Sequence, residues 1–169
     1  MSVWIREVGF SYRWAIQHLE RVLRECPDEL WERNLWDVTL ADEAATPGSE
    51  GVQTYGTFWY VAFHTLLALD GFLSPTVPFD PPPPFRAGVE ARKLPEKAYT
   101  REELLDYLQF CRRKAEVTFA SLTDEKAMQI RGDEQPFANS LIRGLMHLRE
   151  HTGQLGLFLG VEVAGWIPM

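Results

Sequence analysis

The sequence predicts an all-α fold, a four-helix bundle with long crossover connections. Three observations carry that expectation. Four segments repeat apolar residues at steps of three and four, no stretch of comparable length alternates with period two, and two long connections hold most of the prolines. No internal repeat breaks the chain up, so 1–169 reads as one domain, of a size that buries roughly two thirds of its unfolded surface.

In helix one, Trp4, Val8, Tyr12, Ala15, Leu19, Val22 and Cys26 fall on one stripe, which Pro27 ends. Asp28 to Trp36 adds a short helical turn, and Thr46, Pro47, Gly48, Ser49 and Gly51 mark a loop. Helix two runs from about Gln53 to Phe72 and is apolar almost all round, as suits a segment with neighbours on several sides. Seven prolines between Ser74 and Pro95 make 74–99 a crossover, read as a stiff spacer rather than an SH3-type ligand.

Thr100 and Glu103 form a capping box that opens helix three, with Leu104, Leu108, Cys111, Ala115, Thr118 and Leu122 along one face. After a polar turn through Asp133, Pro136 at a first-turn position starts helix four, which continues to about Leu159. Two long connections allow parallel neighbours, so a simple up-down order is not required.

Composition narrows the partners. Apolar residues make up 46% and charged residues 24%, which is ordinary globular usage. A net charge of -7 and a pI near 5.1 repel a phosphate backbone, which excludes nucleic acid. The N-terminal stretch carries Arg6 and Glu7 and does not read as a signal peptide. The longest apolar run, Phe58 to Leu69, is broken by His64 and Thr65 and is too short for a membrane span, so a cytoplasmic protein is expected. Cys26 and Cys111 stand outside any CxxC pair and read as reduced packing residues.

The histidines carry the chemistry. His147 and His151 are four apart on helix four, so both imidazoles leave the same face and can grip one ion. The core stripe of that helix is Phe137, Leu141, Leu145, Leu148, Thr152, Leu155 and Leu159. Ser140, Gly144, His147, His151, Gln154 and Phe158 form a second stripe on its flank, where small residues let a helix or ligand approach. His64 lies within apolar helix two and needs either a hydrogen bond or a metal. Spacing alone leaves both open, as it leaves the helix-four pair open to being a surface coincidence. His18, at the edge of the helix-one stripe near Trp14, is not counted as a ligand.

Other schemes fit less well. His147-Leu148-Arg149-Glu150-His151 matches the H-x-x-E-H string of inverted zinc peptidases, yet Glu162 is the sole carboxylate after His151, and Glu150 points away from the core. A di-iron site needs Glu-x-x-His pairs, and no histidine here has Glu three residues before it. Neither a nucleophile triad nor a glycine-rich phosphate loop has a local signal.

Trp59-Tyr60-Val61-Ala62-Phe63-His64 together with His147-Leu148-Arg149-Glu150-His151-Thr152-Gly153-Gln154-Leu155 resembles the DinB/YfiT superfamily of metal-binding four-helix bundles. That resemblance spans essentially the whole chain. It implies that His64, His147 and His151 form a metal triad followed by the motif's Gly153 and Gln154, with Thr152 standing where arginine is usual. It further implies one divalent ion, zinc or nickel first and iron or manganese as alternatives, and a homodimer.

The activity so implied is that of a metal-dependent enzyme. It would activate a low-molecular-weight thiol such as bacillithiol or mycothiol, or water, for attack on a small-molecule electrophile, as a thiol S-transferase or hydrolase does. The alternative is a non-catalytic stress-response module whose metal is structural or sensing. Tyr60, one turn before His64, is either a hydrogen-bond donor to the site or plain packing.

Overall fold

A computed structural model of the protein describes residues 2–36, 56–85, 97–132 and 134–167. Five α-helices make up the regular structure there: α1 Val3–Glu25, α2 Phe58–Leu73, α3 Arg101–Ser121, α4 Asp124–Ala127 and α5 Phe137–Glu162. A 3-10 turn, Asp28–Leu30, follows α1. Pairing of extended backbone is confined, among the described residues, to isolated bridges at Asn34 with Thr57 and Ile130 with Pro136. The chain is all-α. No helix among the described residues is long and apolar enough to cross a membrane.

The predicted stripes become the contact faces. Tyr12, Ala15, Leu19 and Val22 of α1 meet Leu141, Leu148, Thr152 and Leu155 of α5 in a shared buried cluster, with Leu66 and Leu69 of α2 and Leu104, Leu108 and Cys111 of α3. Each long helix packs on two others, α1 on α3 and α5, and α2 on the same two. Directions follow from residue pairs. Phe58 at the start of α2 stacks near Phe158 at the end of α5, so that pair is antiparallel. Leu66 with Cys111, and Asp70 with Lys114, make α2 and α3 parallel. Parallel neighbours joined in sequence need a connection that returns the length of a helix, which is the work of the segment from Ser74 to Thr100; 86–96 within it lie outside the described residues.

Local signals set most boundaries. The capping box is formed, with the Glu103 amide donating to Thr100 Oγ1 at 3.2 Å and the Thr100 amide to Glu103 Oε2 at 2.7 Å. Cys26 and Cys111 are free and buried, and desolvation raises both thiol pKa values, that of Cys26 to about 12.

Four expectations need correction. Helix two starts at Phe58, not near Gln53. Thr57 is extended and bridges to Asn34, the Phe58 amide donating to the Arg33 carbonyl at 2.9 Å and the Leu35 amide to that of Gly56 at 3.0 Å. Of the expected short helix over Asp28 to Trp36 one 3-10 turn forms. Short α4, with its Thr123 cap, stands within the stretch read as a polar turn; Asp133 itself is outside the described residues, as is the 46–51 loop. Helix four runs to Glu162, past the expected Leu159.

Candidate metal centre

Antiparallel α2 and α5 place their histidines at the same height. His64 Nε2 lies 3.1 Å from His147 Nε2, which lies 3.2 Å from His151 Nε2. Ring centroids are 4.4 to 5.1 Å apart, and one ligand nitrogen from each ring lies within 4.8 Å of the others. Four ligands placed tetrahedrally at the usual zinc–nitrogen distance stand about 3.3 Å from one another. The spacing of the two measured nitrogen pairs is that of ligands around a common centre.

Close packing at one glycine sets this height. A Cβ on Gly144 would stand 2.5 Å from Tyr12 Oη and 2.6 Å from Phe72 Cβ. Without that carbon, α1 and α2 both close on α5 one turn before His147, and Tyr12 donates to the Leu141 carbonyl at 2.7 Å. Phe72 then reaches the His147 ring, with centroids 5.9 Å apart. The small-residue flank read from the sequence is thus occupied by neighbouring helices. Ser140 on the same flank receives a bond from the buried Arg131 guanidinium.

The protonation pattern favours a guest cation. Gln154 Oε1 lies 2.7 Å from His151 Nδ1, and an amide oxygen there accepts from Nδ1–H, which leaves Nε2 as a lone pair facing the cluster. Desolvation, then the charges of His151 and His64, lowers the His147 pKa to about 4. The same causes, burial first and His151 second, lower that of His64. Burial thus favours the neutral form of His64 and His147, and within the cluster no carboxylate stands among the three rings. The donor set suits a divalent ion of borderline softness.

His64 departs from expectation in one respect. It is exposed, while His147 and His151 are half-buried, so the desolvation argued from the apolar sequence of helix two is only partial. What brings it to the cluster is the register of α2 on α5. Tyr60 packs edge-on against Trp59 and Phe63. Glu150 is exposed, as expected for a solvated charge. Thr152 is fully buried and its hydroxyl donates to the Leu148 carbonyl at 2.6 Å, so it faces the core. His18 is outside the cluster, buried beside Trp14 with neither ring nitrogen partnered.

Sequence reasoning left two contributors without a role. Gln154 was placed on the right flank but not on His151, and the signal was its i+3 spacing. Phe72 gave no signal, because its contact with His147 depends on how two helices cross. Comparison with family models, with curated proteins and with solved structures finds no match to this chain, so the site stands on its own geometry.

Proposed function

We propose that the protein is a DinB/YfiT-type four-helix bundle that holds one divalent metal ion on His64, His147 and His151. We read it as an enzyme that activates a low-molecular-weight thiol or water for attack on a small electrophile. The observation that carries this reading is the approach of three imidazole nitrogens from two helices, separated by 83 positions at its widest measured pair.

When bound, such an ion supplies a Lewis acid that lowers the pKa of a thiol or water. The chain's own residues do the rest. His147 and His151 come from one rigid helix and fix two of the three donors, and Gln154 sets the His151 ring orientation. Three neutral donors leave the ionic charge uncompensated and at least one position open, the pattern of a catalytic rather than a closed structural site. Exposed His64 supports access from solvent. Imidazole suits zinc and nickel, and iron as well, with manganese the lesser fit.

Elemental analysis of untagged protein tests the site, run on the wild type, His64→Ala and His151→Ala. One equivalent in the wild type and a large loss in both variants is expected; equal content in all three overturns the reading. A panel of thiols and electrophiles, assayed with metal and after chelation, then tests the chemistry. Metal-dependent turnover supports the enzyme, whereas bound metal without turnover or ligand binding leaves the structural or sensing module.

A further inference from the structure

A second concavity lies where α3 passes the end of α2 and the start of α5. It encloses about 690 Å3, within the roughly 300 to 1,000 Å3 range of small-molecule sites. Leu73 and Phe137, both buried, and Phe110 and Val117 of α3 give it apolar walls. Val117 is 69% exposed and carries the apolar wall of the cavity out to the solvent.

The charge at this cavity is one-sided. Arg113, Lys114 and Lys126 line it, and none of the lining residues is Asp or Glu, although the chain carries 24 acidic residues against 17 basic ones. The three cations are not equally committed. Lys114 is held by Asp70 and Ser74. Lys126 Nζ donates to the Ser121 carbonyl at 2.9 Å. Arg113, exposed on the same face of α3 as Phe110 and Val117, has no ion-pair partner among the described residues. Its guanidinium offers a planar fork of donors suited to a carboxylate.

We propose that this cavity binds a small amphipathic organic anion, a monocarboxylate whose apolar body lies on Phe110, Val117 and Phe137 and whose headgroup pairs with Arg113. Gln129, Thr118 and Ser121 line the same cavity and add neutral polar groups for the headgroup oxygens. The apolar wall explains why a simple inorganic anion is not enough, the missing acids disfavour a cationic amphiphile, and a neutral one forgoes the charge-assisted bond to Arg113. The site is independent of the histidine cluster, since none of the three histidines lines it.

Calorimetric titration of the full chain with decanoate, decanol and decyltrimethylammonium, each below its micellar concentration, tests this. Decanoate is expected to bind at one site, with decanol weaker by roughly tenfold, the worth of one charge-assisted contact, and with no saturable binding of the cation. Arg113→Gln should weaken decanoate by roughly the same factor, and Arg113→Lys, which keeps the charge but not the planar fork, should fall between Arg113→Gln and the wild type. Metal content and the thermal midpoint should stay at wild-type values in both variants, which separates failure here from failure of the metal reading. Equal binding of all three amphiphiles, full affinity in Arg113→Gln, or sedimentation showing that a second copy of the chain covers Val117 and excludes decanoate would each overturn the proposal.

Discussion

Helix α2 carries two polar clusters less than two turns apart, and they are built on opposite logic. Toward α3, fully buried Asp70 accepts from the Tyr107 hydroxyl at 2.9 Å and from the Lys114 ammonium, which also reaches Ser74. Every member has a partner of the complementary kind. Toward α5, His64, His147 and His151 bring three groups of the same kind to one place, and His147 Nδ1 is buried without a partner. The first cluster is complete as folded and fixes how α2 sits on α3. On the proposed metal reading, the second gains when a cation enters it. Satisfied buried polar groups hold a fold together, whereas converging like groups that stay unsatisfied signal a binding site.

That contrast can be broken from either side. The largest effect is expected at Asp70→Ala, which strands the Lys114 ammonium and the Tyr107 hydroxyl. Because Lys114 keeps a quarter of its side chain exposed, the loss should fall near the low end for a broken buried pair, about 3 kcal/mol, read as a lower urea midpoint at unchanged m. Metal affinity should be little affected; if it collapses while the fold persists, the two clusters are not separate.

Gln154→Leu should do the reverse. Metal affinity is expected to fall roughly 10- to 100-fold through loss of the His151 orientation, with a near-wild-type midpoint for the apo protein, measured by chelator competition. Affinity unchanged in this variant would mean that His151 needs no support from Gln154.

A smaller pair of changes separates packing from propensity on one helix. Gly144→Ala forces a methyl against Tyr12 and Phe72 and should cost about 1 to 3 kcal/mol. Gly153→Ala, with nothing within 4 Å of the new carbon, should gain about 0.5 to 1 kcal/mol from helix propensity alone. Denaturant unfolding of both should show opposite signs, and a shared sign would place Gly144 outside the close contact described.

The smallest effect concerns His18, which is 5% exposed and whose pKa is lowered by burial first, then by Arg149 and Arg21. Its folded pKa is below the unfolded value near 6.5, so the unfolded chain takes up the proton first as pH falls. Stability from this residue is therefore full above about pH 6.5 and declines with falling pH toward the folded pKa. His18→Leu should flatten that part of the pH profile, and an unchanged slope would show that His18 does not contribute to it.

Much of this was legible because the signals are local. Trp4 to Cys26 repeat with helical period, Thr100 and Glu103 cap their own helix, and His147 and His151 share a face by spacing alone. What was not legible depends on partners distant in sequence. The late start of α2 arises because Gly56 and Thr57 find partners at 33–35, and α4 is too short for a periodic pattern. The Asp70 cluster joins residues up to 44 apart, although one charge in an otherwise uncharged helix two was a signal that could have been used. His64 was expected to be buried because its neighbours in sequence are apolar, but a helix that packs on two others still leaves an edge to solvent.

The parallel arrangement of α2 and α3 also determines where this chain can change length. Sixteen residues of α2 cover about 24 Å, and an extended strand of backbone retraces that distance in about seven or eight residues. The stretch from 74 to 100 is several times longer than this minimum. Its length exceeds what the return needs, although Phe85 and Tyr99 within it are anchored in the core, whereas the loss of a single residue between His64 and Asp70 would rotate one cluster away from its partner helix by about 100°.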